Sequence, residues 1–146
     1  MAIDVRMNDE PDLRTEDEVF PEVDHGIEIV GDRVLLQLRR EKTTSKGGIV
    51  LVQETRDTIK YNEVVCKVRQ IGPLAYRSPD DLSPWVEGPW CQVGDIVRSI
   101  KWGGDRVVID AGDGGAPVVF ITVNHREIIS KIKSFEHAQR QKAFVD

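Results

Sequence analysis

The chain has 146 residues, 40% hydrophobic and 31% charged, with a formal net charge of −5. That composition fits one ordinary globular domain, and no apolar run approaches the ~20 residues that cross a bilayer as a helix. Cys66 and Cys91 stand far apart without Cys-x-x-Cys spacing, which leaves neither a disulfide framework nor a zinc site.

In chain order, residues 1–30 hold ten acids against Arg6 and Arg14, so this stretch carries −8 and the rest of the chain +3. It lacks the apolar stretch of a secretory signal, and a cytoplasmic location is expected. So charged a segment buries too little to offset its ordering entropy, and residues 1–26 are expected to be a disordered acidic extension. From Ile27 the texture changes. Ile27, Ile29, Val34, Leu36 and Leu38 alternate with period two, and Gly31-Asp32 marks a bend between two strands. In YNEVVCKVRQIG, Val64, Cys66 and Val68 share one face and Val65 takes the other. DIVRSIKW, DRVVID and APVVFITV are three further strands, separated by Gly-Asp and Gly-Gly punctuation. Ile128, Ile129 and Ile132 fit a helix, although a strand over 126–132 fits as well. About six short strands argue for an all-β domain, a small barrel or sandwich, over residues 27–134, with 135–146 as a C-terminal tail that is frayed.

Two insertions break the strand rhythm. The first, within 40–60, carries Gly47, Gly48 and then the apolar strip Ile49, Val50, Leu51, Val52 between polar flanks. This strip is either a core strand entered through a tight turn or an apolar edge on an extended arm that docks into another protein. The second, 73–92, holds four prolines with Tyr76, Trp85 and Trp90. A long loop in a compact domain is commonly functional or disordered, and packing of these rings onto the core competes with a role at the surface.

No catalytic arrangement stands out. His25, His125 and His137 are scattered, with neither a Ser/His/Asp set nor His-Glu-x-x-His. Gly112-Asp113-Gly114-Gly115 lacks the Lys-Ser/Thr of a phosphate loop and reads as a hairpin turn. The expectation is therefore no enzyme, no cofactor and no metal. Tyr76, Trp85, Trp90 and Trp102 on a small barrel offer stacking surfaces in the manner of an OB-fold, and Arg39-Arg40 with Lys42 forms a small basic cluster. An acidic chain without a strong basic footprint argues against that use.

Several pieces in order resemble the GroES co-chaperonin family, over Ile27 to about Lys133. Asp32-Arg33-Val34 resembles its first barrel strand, Ser45–Leu51 (SKGGIVL) its mobile loop, Val93–Val97 (VGDIV) a second signature, and Val118–Ile132 the closing segment. Asn62 stands where the family has glycine, a change that a left-handed backbone tolerates. The resemblance implies an irregular β-barrel subunit of a heptameric dome. It implies a mobile loop at about 41–60 whose Gly47, Gly48, Ile49, Val50 and Leu51 bind a nucleotide-loaded GroEL-type chaperonin. It also implies a roof hairpin at about 73–92, with Tyr76, Trp85 and Trp90 on the roof or toward the cavity. The strip is then the docking arm. The partners implied are the chaperonin, unfolded client protein and further copies of the chain, with no membrane and no nucleic acid. The acidic extension, the long aromatic roof loop and GPWCQVGD (88–95) look more like co-chaperonins encoded by bacteriophages, which serve a phage capsid protein in the host cytoplasm. The alternatives are an OB-like barrel binding single-stranded nucleic acid and a phage structural protein.

Overall fold

Arg33–Leu38 (β1) reads RVLLQL, and every residue after Arg33 is buried. That pattern demands cover on both faces, and the fold supplies it. The computed structural model describes residues 12–42, 63–101 and 103–142. The other strands are Val65–Ile71 (β2), Ile96–Ser99 (β3), Asp105–Ile109 (β4), Val118–Asn124 (β5) and Ile128–Ile132 (β6). They form one antiparallel sheet in the order β4-β5-β1-β2-β3-β6. The all-β class and the strands read after Gly31 are as expected from the sequence. Ile27 and Ile29, expected in a strand, precede the sheet instead.

The two faces separate along each strand with the expected period of two. Val34, Leu36 and Leu38 meet Cys66, Val68, Val97, Val119, Ile121, Val123 and Ile128 in the main core. One face of five strands thus encloses a single interior. Leu35 points the other way, to Val118 and Phe120, and Val65 packs with Ile96 and Ile132 on that same opposite side. The β1–β2 register shifts between Leu35 and Leu36, which pair with Gln70 and Val68 and leave Arg69 as the extra residue of a bulge. Arg69 and Gln70 consequently both reach the outer side. At the start of β1 the backbones of Gly31 and Gly72 nearly touch. A Cβ on Gly72 would lie 2.2 Å from the Gly31 carbonyl oxygen, so only glycine fits there.

The outer face is covered by what the sequence marks as a disordered extension. Over residues 12–26 that expectation is corrected, and residues 1–11 lie outside the described residues. Thr15 caps a helical turn, Glu16–Val19 (α1), in a capping box closed by Glu18. Val19 and Phe20 are fully buried, and Val23, Ile27 and Ile29 follow them onto the sheet. The polar residues of the outer face find their partners in this arm. Buried Gln37 donates to the Pro21 carbonyl (3.0 Å), Arg69 donates to Gln37 Oε1 (2.7 Å) and the Phe20 carbonyl (2.8 Å), and Gln70 exchanges two bonds with Ile27 and Ile29. Buried polar groups are stable only when so satisfied. The acidic residues between the apolar ones face outward, which is why the net charge of the segment misleads.

Of the two readings of 126–132 the strand holds, and the frayed tail is corrected over 135–140. His125–Glu127 is a single 3₁₀ turn capped by Asn124, and Ile128–Ile132 is a strand paired with β3. The β3–β6 register shifts between Arg98 and Ser99, which pair with Ser130 and Ile128. Ile129 is the residue left over and is exposed, so the helical spacing of the three isoleucines comes from a bulge. Phe135–Arg140 (α2), capped by Ser134, is a helix rather than a frayed tail, with Ala138 buried. The Phe135 ring meets Phe20 edge-on at 6.4 Å. Residues 143–146 lie outside the described residues.

Candidate functional site

The chain leaves the sheet at Leu38, and the next two residues hold the roots of the 43–62 segment. Side chains alternate in extended chain, so Arg39 and Arg40 grip different neighbours. The Arg39 amide donates to the Val65 carbonyl (2.9 Å), extending the β1–β2 ladder by one bond. Its guanidinium forks onto the Glu63 carboxylate through Nε and Nη2, and its Nη1 donates to the Ala138 carbonyl of α2 (2.8 Å). Both side chains of the pair are below 10% exposed. The outgoing and returning chain are therefore joined by a buried, bidentate ion pair across 24 residues.

Arg40 turns to a third element. Its Nη1 and Nη2 donate to the two Asp113 oxygens (2.7 and 2.6 Å) and its Nε to the Ala116 carbonyl (2.7 Å). The bond to Asp113 raises the Arg40 pKa despite partial burial. The Arg40 bonds, with a further bond from the Gly115 amide, hold the Asp113 carboxyl well below the usual carboxylate range. The Arg40 amide donates to the Val19 carbonyl of the arm (3.0 Å), and Arg14 Nη1 donates to the Arg40 carbonyl (2.8 Å). Asp12 fixes Arg14 from its other side with two bonds at 3.0 and 2.8 Å. Burial opposes ionisation of Asp12, but the bonds and charge of Arg14 outweigh it and keep the carboxyl below its ordinary range. This neck is absent from the expected site residues. Its signal was the Arg39-Arg40 pair, read only as a basic cluster.

Gly47, Gly48, Ile49, Val50 and Leu51 lie outside the described residues, as does Trp102. The other expected site residues come together. Tyr76, at a left-handed φ of 59°, packs against Trp85 (5.4 Å) and Trp90 (5.8 Å), and the two tryptophans meet at 5.3 Å. His125 anchors the group: its Nδ1 accepts the Tyr76 amide (2.8 Å) and its carbonyl accepts the Tyr76 hydroxyl (2.9 Å). Arg126 lies over Trp85 at 4.6 Å. Burial, opposed by Asp32 and aided by Arg126, lowers the His125 pKa, which suits a neutral imidazole with an accepting Nδ1. Tyr76 is only 2% exposed and Trp85 and Trp90 pack on the main core, so these rings fasten the loop to the sheet. The loop doubles back through an Arg77–Pro84 bridge, with Leu82 exposed within the turn and Val86 exposed just after it.

Cys66 and Cys91 are buried thiols, and burial pushes the Cys66 pKa up to about 12. Among the described residues no group of three or more His, Cys, Asp or Glu is placed to hold a metal, and no helix is long and apolar enough to cross a membrane.

Comparison with known proteins agrees with this architecture. Residues 26–132 match the family described as the Chaperonin 10 Kd subunit. The chain is 28% identical over 107 residues to the co-chaperonin GroES of Chlamydia pneumoniae, covering 73% of this chain and 91% of that one. It is 31% identical over 84 residues to the co-chaperonin GroES of Caulobacter sp. strain K31, covering 58% and 79%. The corresponding protein of Lactobacillus acidophilus is 33% identical over 78 residues, covering 53% and 74%.

Proposed function

The chain belongs to the Chaperonin 10 Kd subunit family, and from that premise we propose that it caps a GroEL-type chaperonin through residues 47–51 and closes a folding chamber over client protein. A co-chaperonin role is that of the family; the chaperonin-binding residues, the ring and the client are the proposal. The observation that supports it most is the neck. Arg39 and Glu63 tie the two roots of the 43–62 segment together at the ends of the two central strands, β1 and β2, which suits a segment presented outward rather than one threaded through the core. Arg39 and Arg40 are also spent on internal partners, which removes the basic pair that the nucleic-acid alternative relied on.

The apolar strip has the energetics that a releasable cap needs. Burying an aliphatic side chain yields roughly 1.5–3 kcal/mol, while fixing each residue of a segment costs about 1–2 kcal/mol. One strip therefore binds weakly. Strips displayed on one ring act together through effective concentration. A change of about 1 kcal/mol per contact, driven by nucleotide in the partner, sums over about seven contacts to roughly five decades in affinity. A ring, a heptamer on this reading, would draw on the outer edges of β4 and β6, which pair with no further strand among the described residues and where Val108 and Ile129 are exposed. Residues 73–92 would form the roof, with Leu82 and Val86 rather than Tyr76 toward its surface. The protein would act in the cytoplasm, that of the host if it is phage-encoded, with an unfolded client such as a large capsid protein.

Mixing the protein with a GroEL-type chaperonin, with and without ADP, and following co-migration by size exclusion tests the reading. Binding is expected with ADP and is expected to vanish in Val50→Asp while the oligomer survives. A Val50→Asp variant that binds like the wild type, or a wild type that never co-migrates, overturns it.

A further inference from the structure

Two pieces of this chain lie outside the region that matches the family, residues 12–25 and α2. They pack against each other, with Val19, Phe20, Phe135 and Ala138 in one apolar cluster over Val65, Ile96 and Ile132. Both reach the neck. The Ala138 carbonyl accepts from Arg39, the Val19 carbonyl accepts from the Arg40 amide, and Arg14 Nη1 reaches the carbonyls of Arg40 (2.8 Å) and Glu41 (3.4 Å).

The sheet alone does not control this stretch. Among the described residues the β1–β2 ladder reaches no further than the Arg39 amide, and the contacts described for the next two residues lie elsewhere. The arm supplies three of them, and it is itself held by the buried Phe20, by the Arg69 bond to the Phe20 carbonyl (2.8 Å) and by the Lys67–Glu16 ion pair (3.3 Å). Arg14 cannot swing away easily, because the Asp12 carboxylate occupies its remaining donors. A flexible cationic side chain has thereby become a fixed two-carbonyl bracket.

We propose that the N-terminal arm sets the direction in which the chain leaves the neck, with Arg14 as the positioning residue for chaperonin binding. The inference rests on the co-chaperonin reading above. Fixing the root of a binding segment before it meets its partner lowers the ordering cost at binding, and the gain is repeated at every subunit of a ring. Arg14 touches neither partner nor client; it acts through the backbone of Arg40 and Glu41.

The test uses the full-length chain as wild type, Arg14→Ala, Arg14→Lys and Val50→Asp. Each is measured for affinity to the ADP-loaded chaperonin, for oligomeric state, and for hydrogen exchange of residues 39–42 by mass spectrometry. Arg14→Ala is expected to keep its oligomer, exchange faster at 39–42 and bind roughly tenfold more weakly or worse, since small losses multiply over the ring. Arg14→Lys, which keeps the charge but not the fork, is expected to fall between. If the wild type binds, Val50→Asp does not, and Arg14→Ala binds like the wild type, the positioning role fails and the co-chaperonin reading stands. If the wild type does not bind, both fail. Should Arg14→Ala lose its oligomer, Asp12→Asn decides: weaker binding with an intact oligomer supports the role, and unchanged binding overturns it.

Discussion

The two interruptions of the strand pattern are held by different physics. Residues 73–92 are fastened by apolar and aromatic contact: Tyr76, Trp85 and Trp90 pack on one another and on the main core, and Tyr76 and Trp85 also on His125. At the other interruption the described contacts are polar and gather at the roots, where Arg39, Arg40 and Arg14 fork onto carboxylates and carbonyls. Aromatic packing absorbs a loop into the core. Bidentate polar contacts fix an exit direction, because they demand geometry rather than area.

The largest effect expected separates the two directly. Glu63→Ala leaves the buried Arg39 guanidinium without its carboxylate, and breaking such a pair costs about 3–5 kcal/mol, to be read from urea unfolding. Replacing both partners at once, Arg39→Met with Glu63→Leu, is expected to recover most of that stability while losing chaperonin affinity. If the double variant also binds normally, the neck is only a fold element and the contrast collapses. At the aromatic loop, His125→Ala removes the acceptor of the buried Tyr76 amide and is expected to cost about 1–3 kcal/mol.

The same histidine gives a pH signature. Its folded pKa lies below the model-peptide value of 6.5, so the folded state binds the proton less readily than the unfolded one. The stability it contributes is complete above pH 6.5 and is lost as pH falls through the lowered folded value. Tryptophan fluorescence in a urea series at falling pH is expected to show this loss in the wild type and not in His125→Gln. The smallest effect belongs to Tyr76→Phe, which removes the bond to the His125 carbonyl and the weaker contact with Cys91 Sγ (3.6 Å), and is expected to cost about 0.5–1.5 kcal/mol. A larger loss would mean that the hydroxyl, and not the ring, anchors the loop.

Much of the sheet was legible because its strands are locally encoded. The alternation of Val34, Leu36 and Leu38, and of Cys66 and Val68 against Val65, appears in the structure face for face. The neck was not legible in the same way. Arg39 finds Glu63 at 24 residues and Ala138 at 99, and no local pattern announces partners at such distances. The arm was hidden by averaging: Val19, Phe20, Val23, Ile27 and Ile29 are scattered among ten acids, and net charge outweighed them. The usable signal was Thr15-x-x-Glu18 followed by Val19 and Phe20, a capping box leading into two large apolar residues. The three isoleucines of 128–132 misled because a bulged strand can imitate helical spacing. For the rings of 73–92, composition could not separate surface from packing; that depended on where His125 lands.

The meeting of Phe20 with Phe135 has a consequence for how the chain is made. Synthesis runs from the N-terminus, so the arm emerges before the strands and the helix that completes its apolar cluster emerges after them. Until then the outer face of β2 and β3 lacks part of its cover, and closing so long a loop is entropically demanding. The arm is thus the earliest part of the described chain to appear, and the cluster it shares with the helix closes only once Phe135 and Ala138 have been made.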